Sequence, residues 1–78
     1  LNGAILRRTD LKDSDLSEAD LNIADLTGAN LVGTKLAGAN LDRIKLNQAK
    51  LNGAQLSGAR MTKAKLTEVD LTHADLSG

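Results

Sequence analysis

The chain has 78 residues, with ten Lys or Arg against ten Asp or Glu, and contains no aromatic residue, proline or cysteine. That length supports one small domain, and the lack of cysteine excludes a disulfide framework and thiolate metal sites. No apolar run approaches the ~20 residues of a membrane span, and no signal-peptide apolar segment is seen. Aromatic rings usually dominate the burial in a small core. A core without them points instead to small side chains piled in repeating register.

Leucine stands at position 1 and at every fifth position to 76, with Met61 the one substitute, and it occurs nowhere else. An α-helix turns ~100° per residue, so five residues overshoot a full circle and would wind the leucines around every side. A strand has period 2 and would throw successive leucines onto opposite faces. The phrase itself gives the answer. In Ala24-Asp25-Leu26, Ala and Leu lie two apart and share a face, while Asp points the other way. Thr27 and Gly28 follow, and the direction then changes. A short extended piece and a corner, repeated, close into a polygon.

The corners carry a turn signature. Gly28, Gly33, Gly38, Gly53 and Gly58 each stand third of four, as in Leu26-Thr27-Gly28-Ala29, where a type II turn needs φ > 0. The same place is held by Arg8, Asp13, Glu18, Ile23, Arg43, Gln48, Lys63, Glu68 and His73. A β-branched Ile23 with φ > 0 would be strained. These corners are therefore predicted to use another turn type.

The phrase A-(D/N)-L-x-x recurs as Ala19-Asp20-Leu21, Ala29-Asn30-Leu31, Ala39-Asn40-Leu41 and Ala74-Asp75-Leu76. It resembles the pentapeptide-repeat family, and the resemblance covers all 78 residues. What it implies is an all-β fold, a right-handed quadrilateral parallel β-helix with four pentapeptides to a coil. The period would then be 20 residues, giving about four coils in a single domain over 1–78. At the usual strand spacing of ~4.8 Å the rod would be only ~20 Å long.

Taken in order, the first repeats are the least regular. Ile5 replaces a polar residue and Arg7-Arg8 interrupt the small corner residues, as expected of a terminal repeat. The predicted core is the column Leu6, Leu11, Leu16, Leu21, Leu26, Leu31, Leu36, Leu41, Leu46, Leu51, Leu56, Met61, Leu66 and Leu71. The residue two before each Leu joins it, chiefly Ala24, Ala29, Ala39, Ala49, Ala54, Ala59 and Ala64. Thr9, Ser14 and Thr34 occupy the same inward slot, and a buried hydroxyl there requires a backbone partner. Ile44 and Val69 are larger, and Ile44 is expected to widen its face. The chain lacks an initiator Met and stops in mid-pattern at Leu76-Ser77-Gly78, which reads as a fragment or trimmed piece of a longer protein.

With 20 residues to a coil, the outward slot before each Leu forms four columns. They read Ile5, Asp25, Lys45, Lys65; Asp10, Asn30, Lys50, Asp70; Asp15, Lys35, Gln55, Asp75; and Asp20, Asn40, Arg60. Asp25 over Lys45, Lys50 over Asp70 and Asp15 over Lys35 are expected to pair and to fix coil register. Lys45 over Lys65 is the one mismatch. Charge also changes along the chain, from net −3 over 1–25 to +6 over 26–65 and −3 over 66–78. Arg43, Lys45, Lys50, Arg60, Lys63 and Lys65 thus form a basic belt, read as a candidate protein-docking surface. Because they spread over more than one face, a merely solvated surface is the simpler account.

Chemistry finds little to work with. Catalysis needs a nucleophile with a base, or paired carboxylates, in a cleft, and the only histidine, His73, sits at a predicted corner. Asp70 and Asp75 flank it but would point to other sides, as would Asp10, Asp15, Asp20 and Asp25 among themselves. No phosphate-binding glycine motif is present, and no aromatic is available to stack on a base. Broken Thr ranks, such as Arg7, Thr27, Asn47, Thr67, do not make an ice-binding face. The expectation is a chain with no catalytic, metal or cofactor-binding residues, no small-molecule substrate, and neither nucleic acid nor membrane as partner. It would be a non-enzymatic structural scaffold that binds an unidentified protein, with end-to-end self-association through uncovered terminal coils. The resemblance also implies an alternative, a DNA mimic that binds DNA gyrase or another type II topoisomerase. A neutral, belted rod without Phe departs from that long acidic form. The family's distribution suggests a cytoplasmic protein.

Overall fold

The computed structural model describes residues 2–77. Within them there is no helix, and each pentapeptide contributes a single extended residue flanked by a corner. Those extended residues pair in parallel with the residue 20 positions on: Ile5 with Asp25, Asp25 with Lys45, Lys45 with Lys65, and likewise around the coil. The pairings form four columns and so four sides. Side 1 holds Ile5, Asp25, Lys45 and Lys65. Side 2 holds Asp10, Asn30, Lys50 and Asp70, side 3 Asp15, Lys35, Gln55 and Asp75, and side 4 Asp20, Asn40 and Arg60. The molecule measures 24 × 20 × 18 Å, as broad as it is long.

Hydrogen bonds along the coil axis hold the stack. On side 1, the Leu6 N–H donates to the Asp25 carbonyl at 2.7 Å and the Asp25 N–H donates to Ala4 at 2.9 Å. The corners join the ladder too. The N–H of Arg8 donates to Thr27, that of Ile23 to Asp42, and that of Gly38 to Ser57, at 2.8–3.0 Å. Each corner also closes on itself, as where Ala24 N–H donates to Leu21 at 3.0 Å.

The expectation of two turn types is corrected here. All fifteen described corners have φ > 0 at the third residue, the six glycines and Arg8, Asp13, Glu18, Ile23, Arg43, Gln48, Lys63, Glu68 and His73 alike, with φ from 58° to 71°. The reason is the ladder. Type I and type II turns differ by a flip of the central peptide. A flipped peptide would aim its carbonyl where its N–H must donate to the next coil, leaving two backbone groups unpaired. The stack therefore imposes one turn on every corner, and the non-glycine residues accept the left-handed conformation.

The predicted interior is buried in the middle coils and not at the ends. Leucines from Leu21 to Leu56 and the alanines Ala24, Ala29, Ala39, Ala49 and Ala54 are buried, as is Ile44. Thr34 is fully buried, and its hydroxyl donates to the Leu11 carbonyl at 2.9 Å, the backbone partner that burial requires. Leu6, Leu11, Leu16, Ala59, Met61, Ala64 and Leu71 are only partly covered, and Leu66 is exposed. A terminal coil has a neighbour on one side only, so its leucines lose half their cover.

Candidate functional site

The outward carboxylates are first of all local. Asp10, Asp15, Asp20, Asp25, Asn30, Asn40, Asp70 and Asp75 each accept, through Oδ1, the backbone N–H two residues on, at 3.0–3.1 Å. This is the Asx turn, which only a short side chain with an oxygen at that reach can make. It explains why Asp or Asn precedes so many of the leucines. The hydroxyls of Thr27, Thr72 and Ser77 add a second donor at 2.6 Å. Hydrogen bonds from the Thr72 hydroxyl, the Asn52 side chain and the Thr72 N–H, helped by the charge of His73, hold Asp70 down at about 2. Asp15, Asp25 and Asp75 are lowered by the same kind of capping, from Ser17, Thr27 and Ser77 respectively.

This capping overturns the expected ion pairs. The Asp25–Lys45, Lys50–Asp70 and Asp15–Lys35 neighbours stand in register, but their carboxylates bend back to their own corners. Among the described residues the ion pairs are Arg7–Asp25 at 3.8 Å and Arg60–Asp42 at 2.8 Å. Lys45 and Lys35 act on Asp25 and Asp15 only through the field.

Asp42 is the residue that sequence reasoning missed. Its side chain is 13% exposed and bonds Arg60, while its Oδ1 accepts the Thr62 N–H at 2.9 Å. Arg60 occupies a slot where Asp20 and Asn40 cap their corners, and an arginine has no acceptor. Asp42, one coil earlier, supplies the missing oxygen and binds the arginine that displaced it. The signal was an Arg in an Asp/Asn column with an acid 18 residues before it. Asp42→Ala is expected to lower stability by about 1–2 kcal/mol, since a cap and an ion pair are lost together. Asp42→Asn keeps the cap and should recover part of this in a urea titration.

The structure gathers most of the basic belt at one edge. Arg43 and Lys63 occupy the corner that joins side 4 to side 1, Arg60 lies on side 4, and Lys45 and Lys65 lie on side 1. Lys50 stands apart on side 2. All six are exposed. Asn22, Asp42, Arg43, Arg60, Thr62 and Lys63 line a shallow polar depression of about 380 Å³ beside this edge. Ile23 and Ile5, 51% and 78% exposed, lie on the same edge nearer the N-terminus. His73 is an exposed corner residue. No group of three acids or histidines is placed to hold a metal among the described residues, nor is any helix there long and apolar enough to cross a membrane.

A coil of four pentapeptides closed by Asx-capped corners defines a class of solenoid. Pentapeptide repeats, in eight copies, match residues 4–43, 24–62 and 39–78, and the chain belongs to that family, with its right-handed quadrilateral β-helix. It is similar to HetL, a pentapeptide repeat protein involved in heterocyst differentiation regulation in the cyanobacterium Nostoc sp. strain PCC 7120. The identity is 30% and the TM-score 0.53, covering 95% of this chain and 47% of HetL. It is also similar to the pentapeptide repeat protein Rfr23 from the cyanobacterium Cyanothece 51142, with 38% identity and a TM-score of 0.51, covering 96% of this chain and 48% of Rfr23. The chain thus spans about half the length of either. No curated protein sequence matches it significantly.

Proposed function

We propose that this chain is a non-enzymatic scaffold that binds a protein partner through its lateral surface. The observation that carries the reading is the basic edge. Arg43, Lys45, Lys63 and Lys65 are exposed, and no carboxylate lies within 4.0 Å of them among the described residues. They stand on a backbone held by a hydrogen bond at every corner, so a partner has only their side chains to order. Regulation, the role named for HetL, needs no chemistry beyond such binding. A DNA mimic would instead carry carboxylates along its sides, which the lysines of sides 1 and 2 interrupt.

Affinity capture from a lysate of the source organism tests this. The baits are the chain itself and a variant with Arg43→Gln, Lys45→Gln, Lys63→Gln and Lys65→Gln. Arg60 is left unchanged because it holds Asp42. The expected result is a protein retained by the first bait and lost from the second. The reading fails if both baits return the same background.

A further inference from the structure

We propose that the edge between side 4 and side 1 docks an extended peptide segment with aliphatic side chains at one end and carboxylates at the other. The inference rests on the scaffold reading and names the chemistry of its partner.

Two isoleucines start the argument. Among fifteen corner residues, Ile23 alone is an aliphatic side chain, and among fifteen outward slots Ile5 alone is apolar. Ile23 sits at φ 66°, where a β-branched side chain is strained and glycine is not. It is also half exposed, so burial in the free protein does not offset the strain. A strained, exposed residue suggests a contact made elsewhere. Ile5 shares its edge, since it pairs with Asp25, two residues beyond Ile23.

The cations continue the same edge. Arg43 and then Lys63 follow Ile23 up the corner column, while Asp25, Lys45 and Lys65 follow Ile5 up side 1. Asp25 is already engaged by Arg7 and Thr27. Lys45 pairs directly with Lys65, and like charges so placed repel. A carboxylate from a partner relieves that repulsion. The edge therefore carries an exposed isoleucine in each of its first two coils, beside the engaged Asp25, and cations in its last two. Four coils at ~4.8 Å span ~19 Å, the reach of about six extended residues at ~3.3 Å each. The depression between Asn22 and Thr62 lies alongside and takes a polar side chain. Nucleic acid would use the cations, but a single strand finds no stacking group on this edge, and a duplex held by its phosphates leaves both isoleucines uncovered.

The test is an amide-shift NMR titration of the whole chain. The probes are the blocked peptide Leu-Ser-Val-Ser-Glu-Ser-Glu, its reversed sequence, a version with Gln for Glu, a version with Ser for Leu and Val, and a short DNA duplex. One acidic-aliphatic probe should shift amides around residues 22–25, 42–45 and 62–65 and leave sides 2 and 3 unmoved. Arg43→Gln with Lys63→Gln and Lys65→Gln should weaken it about tenfold, and rising salt should weaken it further. Ile23→Gly should also weaken it while melting no lower than the parent, which separates contact from folding. The proposal is overturned if neither acidic-aliphatic order shifts the edge, if the Gln or Ser version binds as well, if the duplex binds there more tightly, or if Ile23→Gly keeps full affinity. A lysate partner lost with the quadruple variant alongside a silent peptide titration would leave the scaffold reading standing and remove this one.

Discussion

Leu36→Ala is expected to lower the free energy of unfolding by about 2–5 kcal/mol, read from urea unfolding followed by circular dichroism. Leu36 is 1% exposed in a middle coil, with a coil on either side. A globular core can close around a missing side chain. Here the walls are fixed by axial hydrogen bonds, such as Leu36 N–H to the Gln55 carbonyl and Leu16 N–H to the Lys35 carbonyl, both 2.7 Å. The void should persist, which puts the cost high in that range. Leu36→Asp buries a charge with no partner and should abolish the cooperative transition. Leu66, already exposed at the open end, should lose clearly less on the same change. Equal losses at positions 36 and 66 would show that the ends are as tightly packed as the middle, and would sink the account.

Acid should unfold the stack from its corners. Asp70 is held at about 2, and Asp15, Asp25 and Asp75 lie below their ordinary value. A carboxyl whose folded value is depressed stabilises the fold fully above its unfolded value, about 3.9, and loses that contribution as pH falls through the folded value. The melting temperature should therefore be flat near pH 6 and fall steadily between about pH 4 and 2. Asn30 and Asn40 make the same cap without titrating. Replacing the four aspartates by Asn should flatten the acid limb, and an unchanged limb would rule the caps out as its cause.

The features legible in the sequence were those written as side-chain size. Leu and Ala at fixed offsets define an interior directly, and Thr34 announced its need for a backbone acceptor. Two features were hidden because they depend on the neighbouring coil. Ile23 argued locally against φ > 0, yet its N–H must reach the Asp42 carbonyl, and that constraint lies in another repeat. The charge columns were read correctly as neighbours, but pairing was inferred from proximity alone. The nearer claim on each carboxylate was the N–H two residues ahead. That claim could have been read from the Asp/Asn preference itself, and the Asp42–Arg60 exchange from the one departure in the column Asp20, Asn40, Arg60. The basic belt was legible as a list of residues. Its convergence on one edge was missed because only the outward slots had been stacked in columns; stacking the corner residues as well places 43 and 63 beside 45 and 65.

The uniform corner has a further meaning. Because every turn is alike, position in the chain is also a bearing around the axis: each pentapeptide advances a quarter turn. Inserting one extra pentapeptide between Ile23 and Arg43 would keep every leucine inside and every corner bonded. It would also swing the cations a full side away from the isoleucines. An insertion of four would restore the alignment and only lengthen the gap. Folding is thus indifferent to a change that erases the surface, so selection for binding acts on phase, and selection for stability does not see it.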